Sequence, residues 1–323
     1  MNEPRIDQIR EEAWTKGAVT GCGVDVAGGP IPRKPGYYGE PVVRPPVWTW
    51  EIPIYFFVGG LGGMSAAIAL GALLFHHFEV ARSAMRVAAI ASVLSPILLI
   101  LDLGRPRLFL HMLRVFKPQS AMSMGAWILV AFGMCVVPGL IALDLKALHV
   151  FAGTLDQILG VAAGILMVGS AIFGMLLATY TGVLIGATAI PAWFLHHKLL
   201  PIHFGTAGLG SAAALLELVG YRIAPLNAIG LFAAAVETVF FVWLSVDKHG
   251  IADRAIHAHR SGWLIRIGAV FTGPLPLVLR FLGAIPLASI SFLLGALISR
   301  FGWITVGKIS GRDPESVFAS QKS

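Results

Sequence analysis

The sequence predicts an all-α protein that crosses a membrane several times, and three observations support this fold class. Of its 323 residues, 56% are hydrophobic and only 13% are charged, whereas a soluble domain has about 25% charged residues. Apolar stretches of roughly 20 residues, the length that crosses a bilayer core of about 30 Å, recur along the chain. Small residues spaced four apart favour close helix packing in lipid, and the first stretch carries such a ridge at Gly59, Gly63, Ala67 and Gly71.

The hydropathy pattern predicts an eight-helix core and one further, uncertain segment near the C-terminus. That segment, 264–280, is interrupted by Gly273-Pro274-Leu275-Pro276, so it either spans the membrane or lies as a broken helix against the bundle. The predicted segments are 54–75, 85–103, 121–143, 157–178, 182–200, 203–220, 226–246, 264–280 and 284–301.

The chain divides into a tail, a membrane domain and a short C-terminal extension. Residues 1–50 mix both charges with Gly and Pro and contain no apolar leader core. This tail is rich in aromatic side chains, so we expect it to be ordered or bound to a partner rather than a free linker. Residues 51–310 form the membrane domain and residues 311–323 the C-terminal tail. We call the membrane face beside residues 1–50 the tail face and the other the opposite face.

The charge, cysteine and histidine contents argue against several classes of function. The net charge of +7 comes without a basic run interleaved with aromatic residues, which indicates loops facing anionic lipid rather than nucleic acid. Cys22 and Cys135 fit no CxxC spacing, which excludes an iron–sulfur cluster or zinc finger within this chain. The ten histidines lie at segment ends or in loops, which disfavours a membrane haem held between two imidazoles. We therefore expect no metal site.

A charged helix end lies between two long apolar runs, at Asp102-Leu103-Gly104-Arg105-Pro106. Residues three apart share one face of a helix, so Asp102 and Arg105 are expected to pair, and Gly-Arg-Pro ends the helix. Charges placed at a membrane surface are costly and usually mark a site or a docking surface. The alternative is a plain charged cap followed by a positive loop.

Two carboxylates lie inside predicted segments, Glu237 near the middle of the seventh and Glu217 near the end of the sixth. An ionised carboxylate at the bilayer centre costs about 3 kcal/mol on insertion scales, so it is retained protonated, paired or hydrated. We predict that both residues transfer protons; the alternative for Glu237 is a protonated donor in an interhelical hydrogen bond. The segment count places Glu217 near the tail face and every histidine except His111 on the opposite face.

Three blocks of sequence mark predicted helix boundaries. The approach to the first helix reads Gly39–Val42, Pro46–Pro53 and Tyr55–Phe57. The second-to-third connection reads Asp102–Pro106, Arg114–Pro118, Met122–Gly125 and Trp127, and the fourth-to-fifth reads Thr179–Leu184. These blocks resemble the polysulfide reductase membrane-subunit family, also called NrfD-like. The resemblance covers about residues 37 to 310, and Asp-Leu-Gly-Arg-Pro combined with Met-Ser-x-Gly is its most specific part.

The resemblance implies two four-helix bundles and a pocket for menaquinone or ubiquinone that faces an iron–sulfur partner. Tyr180 is the best-matched candidate for a hydrogen bond to the quinone, because a phenol can donate to its oxygen; Glu51 and Tyr55 are further candidates. The implied partners are a ferredoxin-like iron–sulfur subunit and a catalytic subunit of the molybdopterin type. From the charged helix end we expect Asp102 and Arg105 to shape the surface where the iron–sulfur subunit docks. The implied location is the cytoplasmic membrane of a bacterium or archaeon.

The predicted function is therefore exchange of electrons and protons between quinone and an iron–sulfur partner, with formate, a sulfur compound, nitrite or hydrogen as the soluble substrate. The predicted proton route runs from the opposite face through Glu237 to Glu217 and then toward Tyr180. One alternative is a proton-coupled secondary transporter using Glu237, although the chain lacks the matching broken helices typical of that class. A purely structural anchor is the other alternative.

Overall fold

The computed structural model describes residue 43 and residues 46–102, 106–246, 254–257 and 260–320. Within these ranges the chain is almost entirely helical. A 3₁₀ helix at Pro106–Leu113 connects the second and third α-helices. The α-helices are α1 (Glu51–Leu74), α2 (Phe78–Asp102), α3 (Ala121–Ala147), α4 (Thr154–Gly186), α5 (Pro191–Leu195), α6 (Leu200–Val219), α7 (Ala224–Val246), α8 (Arg254–His257), α9 (Arg260–Thr272), α10 (Pro274–Phe281), α11 (Ile285–Arg312) and α12 (Pro314–Ser320).

Eight helical stretches in the described residues are long and apolar enough to cross a membrane, which confirms the predicted all-α polytopic fold. They are α1, α2, α3, α4, α6, α7, the α9–α10 pair and α11. Helices α1 to α4 pack together as an N-terminal bundle, and α6, α7, α9–α10 and α11 form a C-terminal bundle. Contacts of α6 with α1 and α4 join the two bundles.

The sequence predicts separate spans at 157–178 and 182–200, and this prediction is wrong because α4 continues as one helix to Gly186. Gly182 is a site of close helix contact rather than a break. A Cβ atom at Gly182 would lie 2.5 Å from the carbonyl carbon of Leu200, and such approaches favour glycine within membrane helices. The chain leaves the bundle only after Gly186, and the short α5 begins at Pro191, whose fixed φ suits the first turn of a helix.

The uncertain segment 264–280 crosses the bundle as a broken helix. Helix α9 ends at Thr272 and α10 begins at Pro274, but together they cover the span Gly262–Phe281. Gly273 lies at the break against α7, where a Cβ atom would come within 2.9 Å of the backbone nitrogen of Thr238. Proline at the start of α10 lacks the N–H that would continue the hydrogen-bond ladder, which explains the position of the break.

The corrected order of spans changes the faces predicted after α4. Glu217 lies near the end of α6 at the opposite face, and Tyr221 and Arg222 follow it there. The sequence prediction that placed Glu217 near the tail face is therefore wrong. The predicted clustering of histidines on the opposite face is also wrong, because four of the described histidines lie at the tail-face end of the bundle: His196, His197, His203 and His257. Asp247, His249 and His259 are outside the described residues.

Helix α1 lies at the centre of the molecule and meets its neighbours through glycines. Gly63 crosses α4 so closely that a Cβ atom would lie 2.2 Å from the carbonyl oxygen of Gly174. On another side, a Cβ atom at Gly62 would lie 2.1 Å from Cβ of Ala91 in α2. Gly63 therefore fulfils the role predicted for the small-residue ridge, whereas Gly71 borders open space.

Candidate functional site

A cavity of about 320 Å³ opens at the tail face of the N-terminal bundle. It lies between the segment that precedes α1, the start of α3 and the connection that follows α4. Its walls are mainly apolar, as expected of a site that takes an apolar ring. The lining residues are Val43, Pro46, Trp48, Met122, Leu184, Thr188, Ala189 and Ile190.

Tyr180 lies in α4 one turn before Leu184 and is 7% exposed. Its hydroxyl donates a hydrogen bond of 2.5 Å to the carbonyl oxygen of Ala121, the first residue of α3. Ala121 precedes the cavity residue Met122, so the phenol is bonded to the residue next to the cavity wall. Tyr180, Tyr55 and Glu51 are not themselves among the lining residues. A phenol that donates to a backbone carbonyl is chemically suited to donate to a ligand carbonyl instead.

The Met-Ser-x-Gly block at the start of α3 positions this tyrosine. A Cβ atom at Gly125 would lie 2.1 Å from the aromatic ring of Tyr180, so only glycine leaves room for the ring. Ser123 fastens the preceding connection, because its hydroxyl donates to Val115 O at 3.3 Å and accepts from the Lys117 N–H at 3.1 Å. The block thus fixes the start of α3 and opens a slot for the phenol.

Tyr55 and Tyr180, two of the three predicted quinone contacts, lie near each other. Tyr55 is 2% exposed in α1, and the two phenols are close enough to interact electrostatically. Glu51 lies one turn earlier on α1, partly exposed, and accepts a hydrogen bond from the hydroxyl of Thr49. The three predicted quinone contacts therefore lie in one region of the tail face.

Thr49 also contacts Asp102 at the C-terminal end of α2. Its backbone N–H and its hydroxyl each lie 3.3 Å from Asp102 Oδ1. An acidic group is unfavourable at the negative end of a helix dipole, and the backbone N–H of Thr49 offsets part of that cost. The hydroxyl has a single hydrogen, so it donates either to Glu51 or to Asp102. Arg105 lies outside the described residues, so the expected pair with Asp102 stays a prediction. Sequence reasoning missed Thr49 as the residue that joins Glu51 to Asp102.

Glu237 lies in the C-terminal bundle within a network of polar side chains. Its carboxylate accepts hydrogen bonds from His203 Nδ1 at 2.7 Å and from the Thr206 hydroxyl at 2.6 Å. The other imidazole nitrogen, Nε2, lies 2.9 Å from the hydroxyl of Ser299. Arg300 interacts electrostatically with Glu237 and lies 3.6 Å over the centre of the Phe204 ring. Glu237 is thus a buried, multiply bonded carboxylate in the tail-facing half of the bundle.

Glu217 lies in a second network near the opposite face. Arg280 Nη1 and Nη2 donate to the two carboxylate oxygens at 2.8 and 2.6 Å. Ser289 donates to Oε2 at 2.7 Å, and Arg280 Nη1 also reaches Asn227 Oδ1 at 2.8 Å. Glu217 therefore does not lie between Glu237 and Tyr180, and the predicted order of proton transfer through it is contradicted by its position.

Sequence reasoning missed the two arginines that accompany the glutamates. Both lie in apolar spans, and both residues, backbone included, are almost fully buried, Arg280 at 5% and Arg300 at 1% exposure. A buried arginine in a membrane helix needs an acidic partner, and the sequence offers one glutamate for each. This one-to-one match of arginine and glutamate was the signal in the sequence that could have indicated the pairing.

No group of three or more His, Cys, Asp or Glu side chains that could hold a metal ion is present among the described residues. The two glutamate networks and the tyrosines near the cavity supply phenols, carboxylates, imidazoles and buried arginines. These groups donate hydrogen bonds and move protons.

Comparison with known proteins identifies the class of protein that carries this cavity. Residues 41–304 match the family described as polysulphide reductase, NrfD, so the chain belongs to the NrfD family of membrane subunits. A relative named Protein NrfD, from Escherichia coli strain K12, is 26% identical over 309 residues, covering 82% of this chain and 96% of the relative. Family membership does not favour the transporter alternative.

Proposed function

We propose that this chain is the quinone-reactive membrane subunit of an oxidoreductase complex, working with an iron–sulfur subunit and a molybdopterin-type catalytic subunit. The observation that carries the proposal is the apolar cavity at the tail face with Tyr180 at its border. Bound there, a menaquinone or ubiquinone would supply two-electron, two-proton redox chemistry. The soluble substrate of such a complex is formate, a sulfur compound, nitrite or hydrogen, and the membrane is that of a bacterium or archaeon.

The residues around the cavity fit a quinone by size and by chemistry. A volume of about 320 Å³ lies at the lower end of the range of small-molecule sites, about 300–1,000 Å³. Trp48, Leu184 and Ile190 provide apolar surface. Tyr180 supplies the donor for a ring oxygen when its hydroxyl turns from Ala121, and both Tyr180 and Tyr55 are buried from water.

The partner surface is proposed to lie around Asp102 and Arg105, on the same face as the cavity. Thr49 holds Asp102 beside Glu51, so a subunit docked here would cover the approach to α1. A short distance between the partner's iron–sulfur cluster and a quinone bound in the cavity would favour electron transfer. Of the two glutamates proposed for proton transfer, Glu237 lies toward this face, whereas the position of Glu217 favours a structural role for that residue.

Tyr180→Phe tests the quinone site directly. We expect the complex to assemble normally while quinone turnover falls about fivefold or more, because a lost donor to a carbonyl costs on the order of 1 kcal/mol. The measurement is quinol oxidation or quinone reduction by the purified complex with an artificial redox partner. Tyr221→Phe is the matched control, since Tyr221 bonds Ser83 at 2.6 Å near the opposite face. Equal quinone kinetics in both variants would exclude Tyr180 from the site.

A further inference from the structure

The C-terminal bundle is divided into three layers along the membrane normal. The layer toward the tail face holds His203, Glu237 and Arg300, and the layer toward the opposite face holds Glu217 and Arg280. Between them lies an apolar layer of fully buried side chains, which consists of Ala214, Ala233, Ala234 and Phe292.

The apolar layer is tightly packed. Phe292 fills the space over Gly210, where a Cβ atom would lie 2.1 Å from the tip of the phenyl ring. The same Cβ would lie 2.8 Å from the side chain of Ala233. The four side chains of this layer offer no polar group to hold a water molecule. The buried hydroxyls of Ser211 and Thr272, on the surrounding helices, donate to carbonyls of their own helices, Ala207 O at 2.7 Å and Gly268 O at 3.0 Å. Glu237 and Glu217 are therefore separated by a layer whose four core side chains carry no titratable group.

The tail-facing layer, in contrast, has hydrogen-bond donors in excess. Arg300 donates through Nη2 to Phe204 O at 3.0 Å. Its Nε and Nη1, together with Trp303 Nε1, are buried without a hydrogen-bond partner among the described residues. Arg300 and Trp303 are three residues apart on α11, so they share one face of that helix. Buried donors are nearly always satisfied, by protein or by internal water.

Trp303 lies about one helical turn nearer the tail face than Arg300. The centre of its ring is 6.3 Å from the centre of the His203 ring and 5.7 Å from that of His196, the residue that follows α5. His203 stacks on Phe240 of α7 at 4.4 Å between ring centres. Two imidazoles and an indole N–H thus line the direction from the tail face to Glu237.

The charges of the layer balance when Glu237 is ionised. Arginine stays protonated in proteins, so Arg300 carries one positive charge and Glu237 offsets it. His203 is then uncharged, donating from Nδ1 to Glu237 and accepting at Nε2 from Ser299. One added proton resides on the imidazole or on the carboxylate, because the two share a hydrogen bond. The layer can therefore take up and release one proton.

We propose that internal water beside Arg300 and Trp303 carries protons between the tail face and the His203–Glu237 pair, and that the apolar layer prevents their onward transfer to the opposite face. This inference rests on the proposed proton role of Glu237 but not on the quinone site. It reverses the direction of proton entry predicted from the sequence, because protons enter from the tail face.

The test uses the full chain alone, without quinone or partner subunits, so its result is independent of the quinone proposal. The chain is reconstituted in lipid vesicles sorted by the outward or inward position of an N-terminal tag. The outer solution is then acidified, and infrared difference spectra follow proton uptake over time. The signal of the His203–Glu237 pair is identified as the one that is absent from both His203→Gln and Glu237→Gln. We expect the signal to rise about tenfold faster or more with the tail face outward, because one polar path serves only that side.

Two variants examine the path and the barrier separately. Trp303→Phe keeps the ring but removes one donor, and should slow uptake from the tail face about tenfold. Trp243→Phe is the control, since this partly exposed indole lies in the same bundle and should leave uptake unchanged. Phe292→Ala opens the apolar layer and should speed uptake from the opposite face. Equal uptake from both faces of the unmodified chain, or unchanged uptake in Trp303→Phe, would overturn the proposal.

Discussion

Two buried carboxylates in the same bundle have opposite kinds of partner. Glu217 is held by both Nη atoms of Arg280 and by Ser289, with side-chain exposures of 1% for Glu217 and 0% for Arg280. Glu237 is held by an imidazole and a hydroxyl, while Arg300 is near but bonded elsewhere. The first carboxylate is thus paired with a guanidinium, whereas the second shares its hydrogen bond with an imidazole.

The difference indicates which buried charge supports the fold and which can change its state. A bidentate arginine–carboxylate pair is geometrically specific and strong, and here it attaches the broken α9–α10 span to α6. A Cβ atom at Gly230 of α7 would lie 2.1 Å from Arg280 Cζ, so α7 also shapes the space for the guanidinium. Histidine, in contrast, has its ordinary pKa near neutrality and suits proton exchange.

The largest expected effect is from the removal of Arg280. Arg280→Met leaves the Glu217 charge buried without its partner, which costs about 3–5 kcal/mol of stability. Arg300→Met should cost only about 1–2 kcal/mol, because it removes one hydrogen bond and one ring contact, while a proton taken up by the His203–Glu237 pair offsets the lost charge. Thermal denaturation of the purified chain, followed by the loss of monodisperse protein, measures both. Equal losses would show that the two arginines support the fold to the same extent.

A smaller contrast is expected for the two glutamine variants. Glu237→Gln keeps a carbonyl that can accept from His203 or Thr206, so we expect a stability loss of about 1 kcal/mol. Glu217→Gln leaves Arg280 charged and buried, which should cost about 3 kcal/mol. The same denaturation assay compares them, with Glu217→Leu combined with Arg280→Met as a control that should recover part of the loss. Greater destabilisation by Glu237→Gln would contradict the assignment of the fixed charge to Glu217.

The smallest effects should come from the serines that support each carboxylate network. Ser289→Ala and Ser299→Ala each remove one hydrogen bond, worth about 0.5–1 kcal/mol within a membrane. Only Ser299→Ala changes the partner of His203 Nε2, so only this variant should shift the pH at which the infrared signal of the imidazole appears. A shift in the Ser289→Ala variant instead would mean that the two networks are coupled across the apolar layer.

Most of the fold was predictable from local sequence because length and hydropathy set a membrane span. The boundaries of α3 and α7 differ by a few residues from the predicted 121–143 and 226–246. The error at 182–200 has a physical origin: Gly182 inside a helix looks like a break, yet it serves the approach of the Leu200 backbone. A contact between distant segments has no local signature.

Site residues that belong to one short sequence block were predictable from the sequence. Contacts between residues far apart in the sequence were less so. Tyr180 and Gly125 each belong to a recognisable block, although only the structure shows that the glycine makes room for the phenol. Glu217 and Arg280 are 63 residues apart, and their pairing depends on the whole bundle. One misplaced span reversed the face assigned to Glu217, and with it the predicted order of the proton route.

The length of α4 has a consequence for where the cavity meets the lipid. Its 33 residues extend about 50 Å at 1.5 Å per residue, whereas the hydrocarbon core is only about 30 Å thick. The last turn, with Leu184, is thus expected at the depth of the lipid headgroups rather than among the acyl chains. A ligand with a long isoprenoid tail could keep the tail in the bilayer while its ring entered the cavity, and a water-soluble subunit could reach the same level from outside.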